Sequence, residues 1–141
     1  MKRTASAAWS GGLKDGTGTI STQSGVLDKT QYGFKTRFEE GPGTNPEELI
    51  GAAHAGCFTM ALAAQLEKEG MPAENLHTWA AVTLDKVDGG FSISAVHLDL
   101  VANIPGADQA SFERIANVAK AECPVSKLLN ATITLSAKLE E

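Results

Sequence analysis

The chain has 141 residues, 43% of them apolar, and a formal charge of −5 at neutral pH. That length supports one domain with a substantial core, and the modest acidic excess, without a basic stripe or arginine-rich tract, argues against a nucleic-acid surface. No apolar run reads as long enough to span a bilayer, and Met1-Lys2-Arg3-Thr4-Ala5 leads into small and polar residues rather than an export signal, so one cytoplasmic domain over 1–141 with no membrane partner is expected.

The first third is glycine-rich and β-like. Residues 3–10, 16–22 and 31–39 carry Thr, Ile, Trp, Tyr and Phe, and turn residues separate them: Gly11-Gly12 with Asp15-Gly16, then Ser24-Gly25 with Asp28. This pattern predicts a three-stranded meander. Gly41-Pro42-Gly43-Thr44 breaks it, and Asn45-Pro46-Glu47-Glu48 has the form of a helix start. Asn45 suits the N-cap, Pro46 the first helical position, and Glu48 completes a capping box. The helix is expected to run to about Lys68, ahead of Gly70 and Pro72. From Ile50 to Ala64 it is apolar on nearly every side and built of small residues, the pattern of a buried helix that lets a neighbour approach closely. A second subunit is one source of such a neighbour.

Residues 77–87 and 91–103 read as two strands around Asp88-Gly89-Gly90. Asp108 or Ser111 caps a helix over about 110–121, Pro124 interrupts it, and a short helix follows at 125–130. The last strand alternates, with Ile133, Leu135, Ala137 and Leu139 on one face and Thr134, Ser136, Lys138 and Glu140 on the other. The order βββ-α-ββ-α-α-β predicts an α+β fold, its six strands in one sheet packed on buried helices.

Two cysteines, Cys57 and Cys123, lie 66 residues apart with no CxxC or zinc-knuckle spacing. In a reducing compartment they are inert core, metal ligands or redox groups. Cys57 falls mid-helix, where the helix dipole contributes little, so a reactive Cys57 needs an external cation or donor. Cys123 precedes Pro124 at a predicted N-cap, where backbone N–H groups favour a thiolate. By local physics Cys123 is the better low-pKa candidate; a small residue also simply fits a helix break. Arg37 sits in Phe34-Lys35-Thr36-Arg37-Phe38 on the predicted strand, with Lys35 on the face away from the aromatics. Most such arginines are solvated, and Glu47 reads equally as a first-turn acid favoured by the helix dipole. His54, one turn before Cys57, is a base, a ligand or, more commonly, a packed core histidine. His54, Cys57 and Cys123 offer only three ligands, and no metal or bound cofactor is expected.

The segment Gly43-Thr44-Asn45-Pro46-Glu47-Glu48-Leu49-Ile50-Gly51-Ala52-Ala53-His54-Ala55-Gly56-Cys57-Phe58 closely resembles the signature of the OsmC/Ohr family of bacterial osmotically inducible and organic hydroperoxide resistance proteins. A second signature is Ala121-Glu122-Cys123-Pro124-Val125-Ser126-Lys127, and Gly25-Val26-Leu27, Tyr32-Gly33-Phe34, Thr36-Arg37-Phe38 and Leu84-Asp85-Lys86-Val87-Asp88 resemble the OsmC branch. The resemblance implies a thiol peroxidase of organic hydroperoxides in oxidative and osmotic stress defence. It implies a peroxidatic Cys57, a resolving Cys123, and Arg37 and Glu47 beside the reactive thiol, within an intertwined homodimer whose active sites lie at the subunit interface. It also implies an external dithiol reductant, a dihydrolipoyl group.

On this reading Arg37 supplies the charge that the Cys57 helix lacks, and Glu47 holds the guanidinium through a planar two-point contact. Glu47 and Cys57 are ten residues apart, about 15 Å along a straight helix, so their cooperation demands a bend near Gly51 or a second subunit. Phe34, Phe38, Phe58 and Met60 are the apolar candidates for binding an alkyl tail. The alternative is a non-enzymatic small-molecule or metal-binding protein with structural cysteines.

Overall fold

In the computed structural model, which describes residues 1–140, the chain falls into two units, residues 1–49 and the chain from Ile50 on, each with its own sheet. The α+β class holds, but the six strands form two three-stranded sheets, not one.

In the first unit, β1 (Ala5–Ser10), β2 (Thr17–Thr22) and β3 (Thr30–Tyr32) make the expected antiparallel meander. Gly18 is opposite both Trp9 and Tyr32 in register, and those two rings meet edge to face at 5.5 Å across it. A Cβ at Gly18 would come within 2.5 Å of the Trp9 ring and 2.6 Å of the Tyr32 ring, so only glycine lets them close. The third strand is shorter than expected. After Tyr32 the chain turns into α1 (Phe34–Phe38), placing Arg37 on a helical turn and not on a strand. Thr36 explains the change: its hydroxyl accepts from the Gly33 N–H at 2.8 Å and donates to the Gly33 carbonyl at 2.9 Å. Phe34 and Phe38, four residues apart, then pack at 5.1 Å, as residues on one helical face do.

Helix α2 (Pro46–Lys68) starts as the cap residues predict. The Asn45 side-chain carbonyl accepts from the Glu48 N–H at 2.7 Å. The reciprocal half of the capping box is absent, because the Glu48 carboxylate accepts from the Thr44 hydroxyl at 2.8 Å instead. Helix α2 continues unbroken through Gly51. Leu49 to Leu66 carries no charged residue, so by length and composition α2 passes as a membrane span, contrary to the expectation that no run would.

In the second unit, β4 (Asn75–Val87) and β5 (Gly90–Asn103) form a long hairpin, and β6 (Thr132–Leu139) joins β5 in parallel. The helices α3 (Gln109–Glu122) and α4 (Pro124–Leu128) lie between β5 and β6 in sequence, as a parallel crossover requires. Asp108 caps α3 by accepting from the Ser111 N–H at 2.8 Å. Phe58, Leu62 and Leu66 of α2 form one core with Val96, Leu98, Leu100 and Ala102 of β5 and with Phe112, Ile115, Ala116 and Ala119 of α3. Gly51 brings α2 close to β4, where an added Cβ would meet Val82 at 3.4 Å. Helix α2 is not buried all round in this chain: Ala52, Ala53, Gly56, Met60, Ala63 and Ala64 are exposed. Composition shows that a face is apolar, not what covers it.

Candidate active site

The four residues singled out by sequence fall into two local arrangements, one in each unit. In the first, α1 is braced against the opening turn of α2. The Asn45 amide donates to the Thr36 carbonyl at 2.8 Å, and just beyond that tie Arg37 Nε donates to Glu47 Oε1 at 2.9 Å. Glu47 is buried and the Arg37 side chain is 39% exposed. The contact is single-point: Glu47 Oε2 is buried without a hydrogen-bond partner, so the expected two-point pairing is not formed. Using the Nε edge leaves neither Nη group in a hydrogen bond among the described residues. A cavity of about 300 Å³ opens beside Arg37, lined by Trp9, Leu13, Tyr32, Phe34 and Phe38. Two of the four apolar candidates, Phe34 and Phe38, line it. Phe58 is fully buried in the core and Met60 is 76% exposed on α2. A larger cavity in the same unit, about 570 Å³, includes Lys14, Lys29 and Lys35 and lacks Arg37.

The second arrangement holds both cysteines, which are free thiols. Cys57 is half-buried on α2. Cys123 is fully buried between helices: its N–H donates to Ala119 O at the end of α3, and its carbonyl accepts from the Lys127 N–H as α4 begins. Pro124 occupies the first helical position, as expected. The two thiols, 66 positions apart in sequence, are close enough for each to perturb the ionisation of the other.

Their ionisations are pushed apart. Burial raises the Cys57 pKa, the Cys123 sulfur raises it further, and the Val125 N–H partly offsets both. Burial also acts to raise Cys123, but the Cys57 thiol, the Ser126 N–H and hydroxyl, and the Val125 N–H together outweigh it, and the net shift is downward. As a thiol the Cys123 side chain makes no formed cap hydrogen bond; the N–H dipoles act on the anion.

Behind Cys123 stands His54, fully buried, with Nε2 at 2.7 Å from Ser126 Oγ. Its Nδ1 is buried without a partner, and burial lowers its pKa. Ser126 entered the sequence reading only as part of a motif; its position three residues after an N-cap cysteine was the signal for its role. Among the described residues no group of three or more His, Cys, Asp or Glu side chains converges as a metal site.

The profile of the family described as OsmC-like protein matches residues 39–138. Over 134 residues the chain is 52% identical to Peroxiredoxin OsmC of Escherichia coli (strain K12), covering 95% of this chain and 94% of that one. Over 124 residues it is 29% identical to the organic hydroperoxide resistance protein OhrB of Bacillus subtilis (strain 168), covering 87% and 89%. Among solved structures, an organic hydroperoxide resistance protein OsmC from Legionella pneumophila superposes with a TM-score of 0.70 at 28% identity, covering 96% of both chains.

Proposed function

Because the chain belongs to the OsmC-like protein family, we propose that it reduces organic hydroperoxides to alcohols through Cys57 and Cys123, with Arg37 and Glu47 completing the site. Membership of this family supports a peroxide-detoxifying redox protein. The observation that carries the proposal is the pair of free, mutually perturbing thiols with unequal access, Cys57 half-buried and Cys123 sealed.

In the first step the Cys57 thiolate attacks one peroxide oxygen. The O–O bond breaks, its electron pair leaves with the alkoxide, and the alkoxide takes a proton and departs as alcohol. Arg37, held by Glu47, stabilises the charge developing on that oxygen. Cys57 is now a sulfenic acid. Cys123 attacks the Cys57 sulfur, the S–O bond breaks, and the hydroxyl leaves as water with one proton, giving the disulfide before further oxidation occurs. An external dithiol, a dihydrolipoyl group in our reading, returns two electrons and two protons. The aromatic cavity beside Arg37 supports a preference for alkyl over hydrogen peroxide, since an alkyl tail gains from leaving water.

The reading includes an intertwined homodimer. Helix α2 runs without interruption through Gly51, which favours a second subunit over a break in the helix as the way Glu47 and Cys57 come to act together. The exposed Ala52, Ala53, Gly56 and Met60 surround the Cys57 position on α2, a small-residue face suited to a second copy. Free thiols fit a reducing cytoplasm.

Stopped-flow oxidation by cumene hydroperoxide and by hydrogen peroxide tests the roles on wild type, Cys57→Ser and Cys123→Ser. The expected pattern is fast consumption of the organic peroxide by wild type, none by Cys57→Ser, and a single stalled turnover by Cys123→Ser. Retained reactivity in Cys57→Ser would make Cys123 the nucleophile, and no reaction in any variant would end the peroxidase reading.

A further inference from the structure

His54 and Ser126 do nothing in the mechanism above, yet they are placed with care. His54 Nε2 meets Ser126 Oγ at 2.7 Å in a site where the imidazole is 0% exposed, and Ser126 stands in the first turn of α4, whose N-cap is Cys123. The partnerless Nδ1 decides the direction in which this contact runs. A serine hydroxyl has one proton to give. If His54 carried its proton on Nδ1, a buried N–H would be orphaned, and the Ser126 proton would be drawn to Nε2, away from Cys123. If the proton is on Nε2, Nδ1 keeps only a bare lone pair, and an unsatisfied buried acceptor is better tolerated than an unsatisfied donor. His54 then donates to Ser126, and the Ser126 proton is left free to be directed at sulfur.

We propose that His54 and Ser126 form a directed donor relay that holds the Cys123 sulfur as the attacking anion, making His54 a positioning residue for disulfide formation. The relay rests on the two-cysteine reading only for what that anion does next. Attack by Cys123 on the Cys57 sulfenic acid forms the S–S bond and releases hydroxide, which is protonated to water, so a Cys123 already ionised has no proton to shed at that step. The titratable groups meeting here are Cys57 and His54 from α2 and Cys123 from the α3–α4 junction. The charged neighbours Glu122 and Lys127 are exposed, Glu122 accepting from Gln65 at 3.2 Å. The imidazole stays neutral, because an imidazolium would bury both a charge and an orphan N–H.

The ionisation is measurable without peroxide. In a Cys57→Ser protein Cys123 is the only thiol, and ultraviolet thiolate absorbance against pH reports its titration. Adding Ser126→Ala or His54→Leu should lower the thiolate fraction at neutral pH roughly tenfold, the worth of one hydrogen bond to a charged group. His54→Gln, whose amide N–H can still reach Ser126, should keep most of that fraction. It also keeps the test open if His54→Leu does not fold. An unchanged titration in Ser126→Ala overturns the relay, and so does a His54→Gln protein that titrates like His54→Leu. If the titrations follow expectation while wild type ignores peroxide, the relay stands and the peroxidase reading fails. The reverse pattern separates the two equally well.

Discussion

Asn45 is the residue through which the folding of α2 reaches the Arg37–Glu47 pair. Its two side-chain bonds do different things: Oδ1 caps α2 through the Glu48 N–H at 2.7 Å, and Nδ2 ties the Thr36 carbonyl at 2.8 Å. Asn45→Ala removes both. Loss of the cap costs about 1 kcal/mol and loss of the bond to Thr36 about 1 kcal/mol more, so urea unfolding should show a destabilisation of about 2 kcal/mol. Asn45→Asp separates the two effects. The carboxylate still caps, and its charge at the helix N-terminus returns about 0.5 kcal/mol. It has no donor for Thr36, however, and sets an anion against a carbonyl. Stability should therefore fall less than in Asn45→Ala, while α1 and Arg37 lose their tether. Since small misplacements at a reacting centre are costly, organic peroxide consumption by Asn45→Asp should slow roughly tenfold. Stopped-flow traces beside urea midpoints give both numbers. An Asn45→Asp protein that reacts at the wild-type rate would refute the bracing argument, and an Asn45→Ala protein as stable as wild type would refute the cap.

Three further outcomes are expected. Glu47→Gln keeps the shape but removes the charge that holds Arg37; with Arg37 39% exposed the stability loss should stay below about 1 kcal/mol, while stopped-flow peroxide attack slows roughly tenfold. Burial holds the His54 pKa below its ordinary 6.5. Between the folded value and 6.5 the unfolded chain therefore binds a proton that the folded chain does not, so stability rises with pH across that window and is level above it. Urea midpoints on either side of 6.5 should show this slope in wild type and lose it in His54→Gln. Gly18→Ala drives a methyl into the Trp9 and Tyr32 rings and should cost about 2 kcal/mol, read by tryptophan fluorescence on thermal unfolding.

How much of this was legible in sequence depends on how local the cause is. The start of α2, the Asp108 cap and the Cys123-Pro124 helix junction are set by neighbours along the chain, and each is where its residues said. Helix α1 was missed because Phe34, Thr36 and Phe38 satisfy two periods at once: alternation puts all three on one strand face, and a spacing of four puts the phenylalanines on one helix face. The Thr36–Gly33 hydrogen bonds decide between them, and no periodicity count contains those bonds. Division into two sheets and exposure of the small-residue face of α2 are matters of distant pairing and covering, which an alternating or apolar pattern does not encode.

The same distinction resolves the contest between the two cysteines. Local reasoning favoured Cys123 for its N-cap position, and the direction of its ionisation agrees. But a thiolate advantage counts toward peroxide attack only if peroxide arrives, and Cys123 is 0% exposed while Cys57 is half-buried. The two properties a nucleophile needs are divided between two sulfurs. The accessible one is pushed toward the thiol and requires a cation, the part we assign to Arg37. The sealed one is held toward the anion, which is of use for attacking a neighbouring sulfenic sulfur that needs no path from solvent. The order we propose, Cys57 as first nucleophile and Cys123 as second, is the one that access and ionisation support when taken together, where ionisation alone points the other way.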